Sequence, residues 1–223
     1  RSQKALSDYL ASKRMAFPRF YFISDDDLLS ILGSSELSAV TPHLMKLFDN
    51  VKDLIMDGRN VKAVASEQGE VCALREPIKA EGPVETWMQA LDLALQFSVS
   101  KLIKEAVFYH PQMEKRKWLE TSLGQAGLAA DKIWWTWKVE EVFRQVHAGD
   151  KLAMKRELAR QTSDLEFLVT LVRGDLEERD PAGHMRKKIN TMIIVSVHQR
   201  DIVDRFVRDS VLDAREFEWE CQL

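Results

Sequence analysis

Four stretches of this chain repeat apolar residues at intervals of three and four, the spacing of one helix face. The first opens after Glu81-Gly82-Pro83 and carries Val84, Trp87, Met88, Leu91, Leu95, Val99, Leu102, Ile103 and Ala106. Proline suits a first helical turn, where the amide it lacks has no intrahelical partner. Such a helix runs about 25 residues, or roughly 38 Å at 1.5 Å per residue. A second stripe follows Gly127 with Leu128, Trp135, Val139, Val142, Phe143 and Val146, ending near His147-Ala148-Gly149. A third comprises Leu158, Leu165, Leu168, Val169, Val172 and Leu176. The fourth begins after Asp180-Pro181 and includes Ile189, Met192, Ile193, Val197, Ile202, Val203, Phe206 and Val207. Short connections between long amphipathic helices predict an antiparallel bundle.

The chain before Glu81 has another texture. A helix around Leu6 to Met15 leads into Phe17-Pro18-Arg19-Phe20-Tyr21-Phe22, and short helices follow around Asp26 to Leu32 and Pro42 to Phe48. Val51 to Met56, Asn60 to Ala65 and Val71 to Pro77 are β-prone, separated by the turn signals Asp57-Gly58 and Gln68-Gly69. The expected fold is mainly α: an elongated antiparallel helical bundle with a small inserted antiparallel β-meander. The expected divisions are 1–50 for the N-terminal helices and aromatic joint, 51–80 for the meander, 81–212 for the long helices and 213–223 for an exit segment.

Composition narrows the function. Over 223 residues the chain is 45% hydrophobic and 30% charged, an ordinary globular balance, and long enough to bury a core. A net charge of -3 argues against a phosphate backbone as main partner. Cys72 and Cys221 stand far apart with no Cys/His cluster, so neither a disulfide framework nor zinc is indicated, and a reducing compartment fits. No apolar run approaches the ~18 residues of a membrane span. The chain starts at Arg1 without a signal region, as a piece of something longer would.

Candidate chemistry mostly dissolves on inspection. His198-Gln199-Arg200-Asp201 resembles a kinase catalytic loop only superficially, lacks the downstream asparagine and lies in a helical pattern. Gly124-Gln125-Ala126-Gly127 lacks the lysine and hydroxyl of a phosphate loop and reads as a helix-helix turn. His43, His110, His147, His184 and His198 show no metal-ligand spacing. Trp134, Trp135 and Trp137 read as a helix packed on two sides. Asp25, Asp26 and Asp27 read as a first helical turn behind the N-cap Ser24 rather than a cation cluster. Around Pro18, the side chains Phe17, Arg19, Phe20, Tyr21 and Phe22 then form a rigid joint, a helix-breaking turn wedged between helical layers.

Taken in order, several of these motifs resemble one family. Tyr9-Leu10, Lys13 to Phe22 and Ser24 to Leu29 look like the signature of the dynein heavy chain linker. Glu85-Thr86-Trp87, Ile133 to Thr136, Val172 to Leu176, Val197 to Ile202 and the final Phe217 to Leu223 continue the likeness in family order. Thr41 to Asp49 and Ile133 to Thr136 look more like axonemal chains, with a likeness to outer arms, than like cytoplasmic transport dynein. The resemblance implies a mechanical lever arm lying across an AAA+ ring, with Phe217 and Trp219 as exit residues contacting the ring. It also implies that ATP and magnesium belong to that ring and that this segment carries no cofactor or ATPase of its own. Implied partners are the ring of the same heavy chain, microtubules through other parts of it, and dynein intermediate and light chains, with no nucleic acid or membrane. The implied location is cytoskeletal, in the axoneme of a cilium or flagellum. A non-enzymatic α-helical scaffold or adaptor is the competing reading, and a hydrolase using the aspartate block a third.

Overall fold

The computed structural model describes residues 2–34, 37–174 and 183–222. Two compact units divide between Leu102 and Ile103. The helices are α1 (Ser2–Ala16), α2 (Asp25–Gly33), α3 (Leu44–Leu47), α4 (Val84–Tyr109), α5 (Lys115–Thr121), α6 (Gly124–His147), α7 (Ala153–Arg173), α8 (His184–Asp209) and α9 (Phe217–Glu220). The strands are β1 (Asp53–Asp57), β2 (Asn60–Ala65) and β3 (Val71–Lys79). The chain is mainly helical with a small antiparallel sheet, as its periodicities predict.

In the first unit the sheet order is β1-β2-β3, so the expected meander forms. Leu54 faces Val64 and Ala63 faces Ala73, and Gly58 and Gly69 take the positive φ that the two hairpin turns require. Strand β3 runs past Pro77 to Lys79, farther than expected. Proline is tolerated there because β3 is an edge strand, whose outward amides need no ladder partner. The buried face of β2, with Val61 and Val64, meets Leu74, the helix residues Leu28, Ile31, Leu44 and Leu47, and the α4 residues Trp87, Met88 and Leu91 in one core. The buried Ser98 hydroxyl fastens β3 to α4 by accepting the Arg75 amide at 2.9 Å while donating to the Ala94 carbonyl at 2.6 Å.

In the second unit α6, α7 and α8 pack together, with α7 against α8 as the largest contact. Their core joins Trp135, Val139, Phe143, Met154, Ile202, Val203 and Phe206 to Trp219 of α9. One expectation changes here. Residues Gly124 to Gly127 form the first turn of α6 rather than a connection, because Leu123 is extended and its carbonyl accepts the Gly127 amide at 2.8 Å. Helix α5 is a further element, anchored by the adjacent buried pair Trp118 and Leu119, and the Trp118 indole donates to the Ala106 carbonyl at 2.9 Å. The division between the two compact units falls inside α4. The reason is visible in the stripe, whose first part, Trp87, Met88 and Leu91, is already committed to the core of the first unit. The expected cap at Asp180-Pro181, and Leu176, lie outside the described residues, and α8 begins after Gly183. His198 sits within α8, where neighbouring Arg200 pairs with Asp201 at 2.5 Å.

Burial along α4 gives a direct test by chemical denaturation of the 223-residue chain. Replacing the buried Trp87 by alanine should cost roughly 3 to 5 kcal/mol, whereas the same change at the exposed Phe97 should stay within about 0.5 kcal/mol. A loss below about 1 kcal/mol at Trp87 contradicts its place in the core.

Candidate functional site: an aromatic joint and an exit segment

The joint grows from a local conflict. Helix α1 ends at Ala16 because the residue before a proline is driven out of the α region, and Phe17 is extended with φ of -133° and ψ of 94°. The next five residues, Pro18–Phe22, form a tighter 3-10 turn. Three residues per turn align positions three apart, so Phe17, Phe20 and Ile23 all face inward and are buried. The rings of Phe17 and Phe20 meet edge to face at 4.9 Å, and Phe17 lies 6.2 Å from Phe48.

The same geometry turns Tyr21 and Phe22 outward, 64% and 69% exposed. Here the expectation of four wedged aromatics is corrected: two are inserted, and two stand on the surface. Pro18 is exposed as well, so its role is to set the backbone rather than to fill space.

Two arginines then clamp the joint. The Arg14 guanidinium donates to the carbonyls of Phe20 at 3.4 Å and Ile23 at 3.1 Å and pairs with Asp25 at 2.7 Å. It thereby ties α1 to the end of the turn and the start of α2. Arg19 reaches across to the Leu47 carbonyl of α3 at 3.1 Å and to Asp92 of α4 at 3.0 Å, with its guanidinium 5.0 Å from the Phe48 ring centre. Lys13 pairs with Glu85 at the start of α4, and that carboxylate raises the lysine pKa. Ser24 caps α2, its Oγ accepting the Asp27 amide at 3.2 Å. Asp27 is held below the usual carboxylate range chiefly by its hydrogen bond from Lys46, 3.1 Å away.

In the second unit the exit segment is anchored from inside. Trp219 is 1% exposed and lies within 5.5 Å of Trp135, 5.8 Å of Phe143 and 6.1 Å of Phe206 between ring centres. Glu216 accepts the amides of Leu212 at 2.7 Å and Asp213 at 2.9 Å, and Asp213 faces Arg215 at 2.6 Å and His147 at 3.5 Å. The Arg215 hydrogen bonds hold the Asp213 carboxyl well below its ordinary range. Phe217, by contrast, is 75% exposed. The paired contact role expected of Phe217 and Trp219 therefore splits: the tryptophan is consumed by its own core, and only Phe217 presents a ring outward.

Comparison with known proteins covers both units. The family model described as dynein heavy chain, N-terminal region 2, matches residues 1–106. Identity is 45% over 227 residues to human dynein axonemal heavy chain 10 and 45% over 223 residues to the dynein-1-alpha heavy chain, flagellar inner arm I1 complex, of Chlamydomonas reinhardtii. It is 34% over 229 residues to the ciliary dynein beta chain of Tripneustes gratilla, and each alignment covers 99% of this chain. This chain belongs to the dynein heavy chain family. It spans about 5% of the length of those dynein heavy chains. The dynein-like motifs separated in sequence meet in space at Lys13 with Glu85. Asp92, the partner of Arg19, and Ile23, one of the two residues whose carbonyls Arg14 holds, fall outside every motif read from the sequence. A period of three through Phe17, Phe20 and Ile23 is the signal that separates inserted from exposed aromatics.

The Arg19 to Asp92 tie is testable by a double-mutant cycle on unfolding free energy. The substitutions Arg19→Met and Asp92→Asn should be non-additive by about 0.5 to 1 kcal/mol, as expected of a partly exposed pair. Strict additivity would show that the two side chains do not interact.

Proposed function

We propose that this chain is a segment of the linker of an axonemal dynein heavy chain, a mechanical element that passes shape changes of an ATP-driven AAA+ ring on to force along microtubules. The observation that carries this reading is the joint, in which Arg14, Arg19 and Lys13 bind α1, α2, α3 and α4 to one another around two inserted phenylalanines. A lever needs a body that resists bending away from its hinges. Equal identity to a heavy chain named for the flagellar inner arm I1 complex, above the 34% to the ciliary beta chain, favours an inner-arm chain in the axoneme over the outer-arm likeness of single motifs. In this reading the segment holds no nucleotide, and ATP and magnesium act in the ring of the parent chain. The microtubule and the intermediate and light chains are met through other parts of that parent. The ring contact made by this segment then centres on Phe217, with Trp219 holding α9 in place from behind.

The experiment is Phe217→Ala in the full heavy chain, with ATP turnover and microtubule gliding measured together. Gliding velocity should fall at least about tenfold, or 1.4 kcal/mol, while ATP turnover stays within about twofold of the parent. Equal loss of both activities, or no loss of either, contradicts a coupling role and favours a passive scaffold.

A further inference from the structure

The last turns of α4 and the first half of α6, both in the second unit, border a shallow groove of about 560 Å³ whose apolar lining is Ile103, Val107, Phe108, Pro111, Ile133 and Trp134. Phe108, Ile133 and the adjoining Trp137 are exposed. Large apolar side chains gathered at a surface mark a binding site when nothing of the chain's own covers them. The walls are stiff. The Trp134 ring meets the His110 ring at 5.6 Å and the Trp137 ring at 4.9 Å between centres, and Phe108 meets Tyr109 edge to face at 5.1 Å. Aromatic rings and a proline lose little rotamer freedom when covered, so the surface is pre-organised.

Two features select what can lie there. The carbonyls that end α4 each already accept a hydrogen bond: Ala106 from the Trp118 indole at 2.9 Å, Val107 from the Trp134 indole at 2.8 Å, Phe108 from the Gln112 side chain at 2.9 Å and Tyr109 from the Gln112 and Met113 amides at 3.0 Å. An added strand draws its affinity from main-chain partners, which this groove does not offer, whereas a helix satisfies its own backbone and needs only apolar contact. A groove between two helices also matches the side-chain ridge of a third. The second feature is charge. Among the described residues Lys104 is the one charged group of the lining and makes no ion pair, so the complementary surface carries a carboxylate.

We infer that this groove is the docking site of an amphipathic helix from a partner protein, one that lines large apolar side chains along one face with a glutamate or aspartate beside them for Lys104. The six apolar side chains of the groove compare with the roughly 20 to 30 residues per side of a standard stable interface, so the helix is short and bound reversibly. Trp134, fixed by its hydrogen bond, is the anchor against which that helix packs, and tryptophan is among the residue types that dominate such contacts.

The test titrates the 223-residue chain with a stapled helical peptide of about 16 residues that carries leucines at i, i+4 and i+7 and glutamates beside them. The peptide should shift the Trp134 and Trp137 indole resonances with one saturating constant, and a scrambled peptide of the same composition should not. Ile133→Asp, a change at an exposed position, should weaken binding at least about tenfold. Lys104→Glu should weaken it about fivefold, and a peptide with lysines in place of the glutamates should bind that variant better than the unaltered chain by about the same factor. Should Ile133→Asp unfold the chain, Lys104→Glu with the exchanged peptides decides. Binding that does not saturate, that the scrambled peptide matches, or that ignores both substitutions overturns the site. Indole shifts on simple dilution of the chain also overturn it, since they place a second copy in the groove. So does failure of the full heavy chain to bind the peptide, since the parent then covers the groove itself.

Discussion

The first unit depends on a change of helical pitch over five residues. At 3.6 residues per turn, the run from Phe17 to Phe22 would spread its aromatics around a helix. At three per turn it places Phe17, Phe20 and Ile23 in a single inward column. That column fills the space between α2, α3 and α4, and the carbonyls exposed by the short turn become the acceptors that Arg14 requires. A guanidinium suits this place because its planar fork spans two carbonyls and a carboxylate at once, which an ammonium cannot match in direction. Pitch, proline and arginine are thus one device, and the sheet and α4 pack onto what it holds.

The second unit solves a different problem. Its long helices carry polar residues on faces that also carry core residues, and α6 shows this best: Asp131, Trp135 and Lys138 follow one another at helical spacing. Apolar packing is concentrated around Phe143, Phe206 and Trp219, while the buried Asp131 faces His110 and Asp164 pairs with Arg160. The exit segment is secured by the apolar part, so α9 is fixed by the same aromatic cluster that holds α6 to α8.

Much of the secondary structure was legible in the chain alone. The start of α4 after Gly82-Pro83, the three strands with their glycine turns and the Ser24 cap all follow from short-range rules that the fold has no cause to override. The core role of Trp135 was also legible, because it lies on a stripe; the exposure of Trp137 was not, since Trp134 and Trp137, three apart on a neighbouring face, read as a second packed side. Helix α5 escaped because its burial rests on one adjacent pair, Trp118 and Leu119, too short a run to show a period. The arginine contacts escaped for a deeper reason: main-chain carbonyls such as those of Phe20, Ile23 and Leu47 carry no residue-type signal. The burial of Asp131 and Glu157 was invisible because charged residues on a helix are ordinarily read as its solvated face.

Rigidity of the joint is the claim on which the mechanical account rests, and native-state hydrogen exchange reads it most directly. The amides of Phe20, Ile23 and Leu28 bond to the carbonyls of Phe17, Phe20 and Ser24 within and just after the turn. If the joint is a fixed part of its unit, these amides exchange only through the same cooperative opening that exposes Leu44 and Met88, with equal opening free energies and equal sensitivity to denaturant. If they exchange through a separate local opening several kcal/mol easier than that of the core, the turn is a hinge and the account of a rigid joint is wrong.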